Sequence, residues 1–416
     1  MEHSTKTASS VKIRGYKYTI SAGRVYLKSI NMTFTSETLT YKAYTYSSKN
    51  DPIHVTNQHI LLVKKRDEYT VPSNKILVKV DSAALNPVDL MLYNSAIFPF
   101  TLMNSNQGIG RDYSGVVEAI GSGDDLGLKV GDKVCGLYLH PLGKGTVAEY
   151  ILLDGKTDVA VNVIPSNLSI TEASSWPLVY GTAFAMHDGV AVKDKKVLVL
   201  GTATSVGRYV VSLAKKYGAK EIVTTNSERS LDLVAALGST SQIDYTKHKS
   251  ILTPVLESVK DSGSFDAVFD CCGGKDLFPQ AKVVISPKGT YTSIAGDKKY
   301  TYAKVSFFNN TIPLTTSMLR SIGSRLGLFH YTYRFLLCKP EKRWMIEGKK
   351  FIEEEHVKVF VDGVYKFGEF DKALDRLKSN KANGKILIDV SNTSLKKNSK
   401  VPRSSKVTAT SRNKSR

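Results

Sequence analysis

Cysteines and long apolar runs are scarce in this sequence, and each scarcity excludes a class of protein. Only four of the 416 residues are cysteine, and no two of them form a C-x-x-C pair. This argues against a structural zinc lobe or a disulfide scaffold and favours a reducing intracellular compartment. No run of about eighteen uninterrupted apolar residues occurs, and the N-terminal region lacks the apolar core of a secretory signal. We therefore expect a cytoplasmic protein with two domains.

Acidic residues are scarce at both ends of the chain. The formal net charge is +20, to which residues 1–50 contribute +6 (eight Lys or Arg, two Glu) and residues 391–416 contribute +8 (eight Lys or Arg, no acid). Residues 391–416 also have almost no apolar side chains, so we predict a disordered basic tail. Residues 1–55 form a basic extension whose Ser- and Thr-rich composition offers mitochondrial import as a minor alternative. These ends are either solvated or attracted to an anionic membrane surface, and nucleic-acid binding, which rests on charge alone, ranks last.

The remaining sequence predicts an α/β protein with two differently patterned domains. From about Ile60, short β-branched runs separated by Gly and Asp turns predict a mostly antiparallel, barrel-type sheet. A helix with Thr171 as its N-cap and Gly189 after its end follows. From Lys195, strands alternate with helices, which predicts a parallel, doubly wound sheet of the Rossmann type. We assign residues 56–180 and 345–390 to the barrel-type domain and 181–344 to the Rossmann-type domain.

The strongest local motif is a strand, a tight turn of small residues and a helix, KKVLVLGTATSVGRYVVSLAKKYGA (residues 195–219). Such a turn directs free backbone N–H groups and the positive end of a helix toward a pyrophosphate. Counting G-x-G-x-x-G back from Gly207, however, places Thr202 and Thr204 at the first two glycine positions. The motif therefore predicts either a dinucleotide site or an ordinary βα unit whose cofactor site has decayed.

The residues after the second predicted Rossmann strand bear on cofactor choice. That strand ends at Asn226, and Ser227 and Arg229 follow. NAD-specific folds place an acid here for the ribose 2′-hydroxyl, whereas a 2′-phosphate needs cationic or hydroxyl partners. Because Glu228 comes later than that acid would, NADPH is favoured over NADH. The alternative is that Glu228 and Arg229 are simply exposed residues in the first turn of a helix.

Several segments occur in an order that resembles a known superfamily: AALNPVD, GRDYSGVV, VGDKVCG, AEYILL, SSWPLVYGTAF, VLVLGTATSVG, FDAVFDCCGG and NGKILI. Together they resemble zinc-free quinone and enoyl reductases of the medium-chain dehydrogenase/reductase superfamily, which implies a GroES-like barrel domain beside the Rossmann domain. RDYSGV, TSVG and DRLKSNKANGK resemble a small fungal subgroup. That subgroup includes a yeast factor that stabilises the plasma-membrane proton ATPase and a relative linked to DNA-damage sensitivity.

The resemblance implies a set of cofactor-binding residues. The phosphate-binding loop would comprise Gly201, Thr202, Thr204, Ser205, Val206 and Gly207. The family's usual glycines fall on Thr204 and Ser205, where hydroxyl side chains narrow the space. Tyr245 would approach the 2′-phosphate, together with Asn226, Ser227 and Arg229. Gly273 and Ala295 would lie near the nicotinamide.

The resemblance also bears on metal binding and catalysis. Zinc-dependent relatives have a Cys ligand near Asn86 and a Gly-His-Glu segment near Arg111, so no zinc is expected here. The implied reaction is hydride transfer from NADPH to an enone or quinone. Enoyl reductases use a tyrosine where this chain has Ile97 and Phe98, which leaves Asn86 and Tyr93 as the candidate catalytic residues. Residue type alone adds two candidate general acids, His140 and His187, while Asp89 and Asp112 are interpreted as turn and packing residues.

A second hypothesis gives the chain a role without catalysis. The substituted loop glycines, the missing tyrosine and the charged ends favour a factor that retains the reductase fold and assists a membrane protein, peripherally on membranes or lipid droplets. Within residues 307–337 a basic, apolar helical face is predicted, formed by Leu319, Ile322, Leu326, Leu328 and Phe329. Such a face would lie on a membrane, pack in the core or form a homodimer contact.

Overall fold

The computed structural model describes residues 9–13, 16–21, 24–27, 35–49, 51–65, 68–96, 106–123, 126–297, 307–355, 359–391 and 393. The strands are β1 (Ser9–Ile13), β2 (Tyr16–Ser21), β3 (Arg24–Leu27), β4 (Thr35–Tyr46), β5 (His54–Lys65), β6 (Glu68–Thr70), β7 (Lys75–Leu85), β8 (Gln107–Gly108), β9 (Asp112–Ile120), β10 (Lys133–Leu137), β11 (Tyr150–Asp154), β12 (Val161–Val163), β13 (Lys196–Leu200), β14 (Glu221–Asn226), β15 (Ser241–Asp244), β16 (Phe265–Asp270), β17 (Ile285–Ser293), β18 (Thr332–Phe335), β19 (Val361–Lys366) and β20 (Lys385–Asp389). The α-helices are α1 (Pro87–Asn94), α2 (Ile170–Ala173), α3 (Pro177–His187), α4 (Ser205–Lys216), α5 (Leu231–Leu237), α6 (Leu252–Ser262), α7 (Ala281–Val284), α8 (Phe307–Arg325), α9 (Lys342–Glu354) and α10 (Phe370–Lys378). None of these described helices is long and apolar enough to cross a membrane.

The Rossmann-type half contains a six-stranded sheet in the order β15-β14-β13-β16-β17-β18. Every neighbouring pair in it is parallel. All five residues of β13 are buried, as expected for the central strand of a sheet covered on both faces. One face packs against α3, α4 and α9 through Tyr180, Tyr209 and Phe351, and the other contacts α6 through Val255. The predicted doubly wound sheet is confirmed.

The other half contains the predicted GroES-like domain. Its seven-stranded sheet has the order β12-β10-β9-β7-β20-β19, with β11 also paired to β7, and every pair except β19 with β20 is antiparallel. Because β20 pairs with β7, the C-terminal strand closes this domain. Ile76, Val78 and Val80 of β7 point into its core together with Ile386 and Ile388 of β20.

The structure differs from the predicted domain boundaries at two places. Residues 35–46, predicted to belong to the basic extension, form β4, which pairs with β5 from Thr35 to Thr45. Tyr44 stacks on Phe370 with ring centroids 4.2 Å apart, so β4 is part of the barrel core. Helix α9, predicted to belong mostly to the barrel domain, packs on α3 through Trp344 in the Rossmann core. The predicted tail at 391–416 lies outside the described residues apart from positions 391 and 393.

The helical segment after the barrel is also arranged differently from the prediction. Its N-cap is Ser169, whose hydroxyl accepts a hydrogen bond from the backbone N–H of Glu172 while that carboxylate accepts one back from the Ser169 N–H. Thr171 lies inside the helix and has no capping role, because the reciprocal Ser-x-x-Glu pair begins two residues earlier. The predicted end is confirmed: α3 ends at His187, and Gly189 has a positive φ of 72°.

Candidate cofactor site

Two glycines give the predicted phosphate loop its shape. Gly201 directly follows β13 and has a φ of 75°, and a Cβ there would lie 2.7 Å from the Cβ of Cys272. At Gly207 a Cβ would lie 2.4 Å from the carbonyl oxygen of Gly201. These are the two structural requirements of a dinucleotide-binding turn, a sharp bend after the strand and close packing of the helix on that bend. The loop therefore retains its glycines where the backbone requires them.

The two threonines of the loop have different surroundings. Thr202 is buried; its N–H donates to the carbonyl of Thr225 at 3.1 Å and its hydroxyl to the carbonyl of Val199 at 3.2 Å. Thr204 is exposed and is the N-cap of α4, with its hydroxyl accepting from the N–H of Gly207 at 3.0 Å. Thr202 thus attaches the loop to the strands beneath it, while Thr204 lies on the solvent-exposed side of the loop.

The first turn of α4 is the part of the loop able to hold an anion. The amides of Ser205 and Val206 have no partner within the helix, because the first amides of any α-helix lie beyond its hydrogen-bonding pattern. Both residues are half-buried, and the helix dipole adds partial positive charge at this end. The third amide of the helix, that of Gly207, already donates a hydrogen bond to the Thr204 hydroxyl. Two backbone donors and an exposed hydroxyl therefore converge here.

The residues expected near the 2′-phosphate lie at or just after the ends of two neighbouring strands, β14 and β15. Asn226 of β14 lies opposite Asp244 of β15, so Ser227 and Tyr245 both follow at the carboxyl edge of the sheet. Tyr245 is 46% exposed, and Arg229 is exposed as well.

Asn226 itself is fully buried, and its side chain bonds to neighbouring residues of β14 and β15. Its side-chain amide donates to Gln242 at 2.9 Å, and its oxygen accepts from the hydroxyl of Thr224 at 3.1 Å. These bonds leave Ser227, Arg229 and Tyr245 as the predicted group that reaches solvent.

The residues expected near the nicotinamide are organised by one buried carboxylate. Asp270, the last residue of β16, accepts hydrogen bonds from the N–H of Gly273 at 2.7 Å and from the hydroxyl of Ser293 at 3.0 Å. Burial raises the pKa of Asp270, although these donors oppose the rise. The Ala295 N–H reaches the Ser293 hydroxyl at 3.4 Å, so both predicted loops, at Gly273 and Ala295, are tied to one point at the carboxyl edge.

Asn86, a predicted catalytic residue, lies in a buried polar network. Its amide donates to the Asp112 carboxylate at 2.9 Å, and its oxygen accepts from the ammonium of Lys385. Lys385 also pairs with Asp112 at 2.8 Å, and the N–H of Leu178 donates to the same carboxylate at 2.7 Å. Asn86, Asp112 and Lys385 are at most 5% exposed. The segments AALNPVD, GRDYSG and NGK, distant in sequence, thus meet here, and Asp112 has the packing role predicted for it.

Tyr93, the other predicted catalytic residue, is half-buried on α1. Its hydroxyl donates to the backbone carbonyl of Asp51 at 2.9 Å, and its ring contacts Tyr46 edge-to-face with centroids 5.0 Å apart. Burial raises the pKa of Tyr93. This phenol is therefore already bonded within the barrel domain. Ile97 and Phe98, which stand where enoyl reductases have their tyrosine, lie outside the described residues.

The two histidines have opposite environments. His187 is buried, its Nε2 lies 3.0 Å from the carbonyl of Val210, and burial lowers its pKa to about 4. It is therefore neutral near pH 7 and has a packing role. His140 lies 2.8 Å from the buried carboxylate of Asp158 and keeps about a third of its side chain exposed. Sequence reasoning found His140 by type alone, because Asp158 is brought to it only by the pairing of β10 with β12.

The side chains at the position where zinc-dependent relatives bind their metal form an ion pair. Asn86 and Asp112 are bridged there by the Lys385 ammonium. Nowhere in the described ranges do three His, Cys, Asp or Glu side chains form a group that would hold a metal ion. The donors present do not fit zinc, which prefers sulfur and imidazole ligands.

Comparisons with known proteins agree with this architecture. Residues 72–165 match the family model of the alcohol dehydrogenase GroES-like domain, and residues 237–388 match that of the zinc-binding dehydrogenases. The chain is 34% identical over 340 residues to Protein YIM1-2 of Lachancea thermotolerans, covering 76% of this chain and 90% of that protein. It is 32% identical over 375 residues to Protein YIM1 of Saccharomyces cerevisiae, covering 85% and 99%.

A solved structure extends the likeness to the fold. The quinone oxidoreductase from Coxiella burnetii superposes with a TM-score of 0.63 at 21% identity, covering 85% of this chain and 99% of that one. At this level of identity the match is informative about fold alone.

Proposed function

Because this chain belongs to the medium-chain dehydrogenase/reductase superfamily, and within it to the fungal group of the YIM1 proteins, we propose that it is a zinc-independent oxidoreductase that uses NADPH to reduce an enone or quinone. The observation that supports this most is the phosphate loop. Gly201 and Gly207 keep the two positions where a side chain would collide with the backbone or with Cys272. They preserve the sharp bend and the close helix packing of a dinucleotide-binding turn, at which the Ser205 and Val206 amides have no partner within the helix.

NADPH is proposed over NADH from the charges at the carboxyl edge of β14 and β15. Arg229 is an exposed cation there, and Ser227 and Tyr245 add hydroxyl groups. A guanidinium and hydroxyls suit a phosphate dianion better than a ribose hydroxyl.

Two carboxylates stand beside these groups. Asp244 pairs with Lys247 at 3.8 Å and accepts hydrogen bonds from the N–H and hydroxyl of Thr246 at 2.9 and 2.6 Å, and Glu228 is exposed. Because Asp244 already balances Lys247, Arg229 is the cation left to pair with a phosphate, which makes it the residue to test for cofactor preference.

Zinc independence is proposed from the Asn86, Asp112 and Lys385 network. A lysine ammonium already neutralises the Asp112 carboxylate at this position, and a second cation would be repelled by it. The fold is therefore expected to work without a metal, although one of the matched family models is that of zinc-binding dehydrogenases.

When bound, the nicotinamide supplies the hydride; the chain itself binds and orients. The amides of Ser205 and Val206 would hold the pyrophosphate, and the loops at Gly273 and Ala295, both fixed by Asp270, would border the ring. Asn86 and Tyr93 are bonded within the protein, so we propose that Asn86 positions the two domains. Tyr93 would have to leave the carbonyl of Asp51 before it could donate a proton to a substrate.

The test is NADPH oxidation by the purified full chain. We expect loss of NADPH absorbance with a simple enone or a quinone, slower turnover with NADH, and no change after treatment with a strong chelator. Elemental analysis should find less than stoichiometric zinc. Absence of turnover with any acceptor although NADPH binds would remove the catalytic part of the proposal, and zinc at one equivalent with loss of activity on chelation would remove metal independence.

A second candidate function, a membrane-associated factor, is favoured by helix α8. In the part whose side chains are described, the inner face is polar: the Ser324 hydroxyl accepts from the N–H of Tyr333 at 2.8 Å, and Arg320 pairs with Asp297. The outer face is apolar, with Leu319 67% and Ile322 52% exposed. Met318 extends this face, whereas Leu326, Leu328 and Phe329, which were predicted to be helical, follow the end of α8 at Arg325 and are exposed as well.

This polarity is the reverse of that of an ordinary surface helix, whose apolar side faces the core. Residues 298–340 also contain seven Lys or Arg and no Asp or Glu. A basic region with an outward apolar face suits an anionic lipid surface.

Sedimentation with vesicles tests the membrane function. We expect the full chain to sediment at low salt with vesicles that contain phosphatidylserine and a variant L319S/I322S to stay in solution. The matched control V130S/V364S removes equally exposed apolar side chains elsewhere and should sediment like wild type. Equal sedimentation of both variants would refute the role of α8, and a loss of dimers in L319S/I322S without any effect on vesicles would identify the face as a contact between two copies.

A further inference from the structure

Four basic side chains are buried in the described part of the chain, and they differ in how their charge is balanced. Three have a carboxylate within 4 Å: Arg111 with Asp89 at 3.9 Å, Lys196 with Glu221 at 3.5 Å, and Lys385 with Asp112 at 2.8 Å. The fourth is Arg208, which is 2% exposed. No carboxylate of the described residues forms an ion pair with it.

The contacts that described residues make with Arg208 are to uncharged groups. Its Nε donates to the carbonyl of Ala203 at 3.2 Å, and its two terminal nitrogens donate to the backbone and side-chain oxygens of Asn383. The guanidinium carbon lies 4.4 Å above the ring of Phe360. Burial lowers the pKa of this guanidinium, but an arginine keeps its proton in proteins. Among the residues that the structure describes, a full positive charge is therefore buried without a counter-charge, which is unfavourable for the unliganded protein.

The position of this charge indicates what would balance it. Ala203 is the middle of the phosphate loop, between Thr202 and Thr204, so the guanidinium is hydrogen-bonded to the loop itself. Arg208 also lies in the first turns of α4, whose dipole adds positive charge at the same end. An anion held by the Ser205 and Val206 amides would bring the missing negative charge close to Arg208.

We propose that Arg208 is a cofactor-binding residue whose buried charge is neutralised by the pyrophosphate of the dinucleotide. The proposal rests on the proposed function and adds a residue outside the G-x-G-x-x-G positions. It also explains why the chain tolerates Thr204 and Ser205 in the loop: a fixed cation strengthens an anion site that has fewer free amides.

Asn383 sets the direction of the guanidinium. It belongs to the turn before β20 of the barrel domain, and its N–H donates to Asp362 at 2.7 Å. Asp362 in turn accepts two hydrogen bonds from Arg376, each of 2.7 Å. The turn is thus fixed within the barrel domain, and Arg208 connects it to the phosphate loop, so cofactor binding and the contact between the domains share one side chain.

The experiment compares R208M, R208K and K196M in the full chain. Lys196 is the matched control because it is also buried, at 7% exposure, but has a carboxylate partner. It stands at the start of β13, at the opposite end of the strand from the loop. Kd for NADPH and for inorganic pyrophosphate is measured by titration, and the thermal unfolding midpoint is measured without ligand.

We expect R208M to bind NADPH and pyrophosphate at least tenfold more weakly, with an unliganded midpoint equal to or above that of wild type. The oxygens of Ala203 and Asn383 that lose the guanidinium as a donor can bond to water instead, because Asn383 is exposed and Ala203 is half-buried. R208K should retain more of the affinity than R208M. K196M should show the opposite pattern, with a lower midpoint and unchanged Kd.

The outcomes separate this proposal from the proposed function. If wild type and R208M bind NADPH equally, or if R208M unfolds at a clearly lower temperature with unchanged affinity, Arg208 is a structural residue and the proposal is wrong. If wild type binds pyrophosphate with dependence on Arg208 but does not bind NADPH, the proposed function fails while the anion site stands. Binding of neither ligand to wild type overturns both.

Discussion

Replacing the Thr204 cap separates the stability of the phosphate loop from its affinity for the cofactor. In the structure the Thr204 hydroxyl accepts the hydrogen bond of the Gly207 N–H at 3.0 Å, an amide that a glycine at position 204 would leave open for a phosphate oxygen. The backbone of Thr204 has φ −67° and ψ 154°, which any residue adopts without strain. The variant T204G therefore removes a side chain and a cap without forcing the loop into a new conformation.

The magnitudes follow from these two effects. A glycine N-cap in place of threonine costs a few tenths of a kcal/mol, so the unfolding midpoint should fall by roughly 1 °C. A backbone N–H that binds a charged oxygen contributes about 1.5–3 kcal/mol, and each 1.4 kcal/mol corresponds to about tenfold in Kd. T204G gains the contact of the Gly207 amide with the phosphate but loses any contact of the Thr204 hydroxyl with it. After this loss is subtracted from the gain, we expect Kd for NADPH to fall roughly tenfold.

Fluorescence titration of NADPH and thermal unfolding of the same preparations provide the assay. The control T204S keeps a capping hydroxyl and should match wild type in both measurements. Weaker binding by T204G than by T204S would mean that the hydroxyl is itself the main phosphate ligand, and the view of Thr204 as a competitor for the Gly207 amide would be refuted.

Three further predictions concern other parts of the site. K385M leaves the fully buried Asp112 without its ion-pair partner, so the free energy of unfolding in urea should fall by roughly 3–5 kcal/mol; a change below about 1 kcal/mol would contradict the role of this network. His187 has its pKa lowered from 6.5 to about 4, so below pH 6.5 the unfolded chain binds a proton that the folded chain does not, and stability falls as the pH drops from about 6.5 toward 4. H187Q should abolish roughly 3 kcal/mol of that pH dependence in urea titrations, and an unchanged pH profile would argue against a buried neutral imidazole. R229A should lower the preference for NADPH over NADH about tenfold through loss of phosphate pairing, and an unchanged ratio of the two Kd values would place the 2′-phosphate elsewhere.

The fold was largely predictable because its signals are local or ordered along the chain. The strand, turn and helix around Gly201 and Gly207 could be recognised from spacing alone, and the structure shows the backbone contacts that require glycine at both positions. The helix N-cap was placed two residues late, at Thr171, because Ser169 also fits the capping pattern and only the hydrogen bonds distinguish them. Strand β4 was missed in the basic extension, although Tyr41, Ala43 and the neighbouring polar residues alternate.

The site was less predictable because its contacts join residues far apart in sequence. Arg208 meets Asn383 across 175 positions, and Lys385 meets Asn86 across 299. Nothing in the local sequence around Arg208 distinguishes a buried unpaired cation from an exposed residue of an amphipathic helix. The apolar face of α8 was visible as a pattern, but its outward direction depends on Arg320 and Ser324 bonding inward.

The most direct test of the central claim is a titration of the purified full chain with NADPH, followed by nicotinamide fluorescence. We expect saturable binding with a Kd in the micromolar to millimolar range, tighter than that for NADH, and a rise in the unfolding midpoint with NADPH concentration. No fluorescence change and no shift in midpoint at about millimolar NADPH would contradict the claim that the loop from Gly201 to Gly207 still holds a dinucleotide.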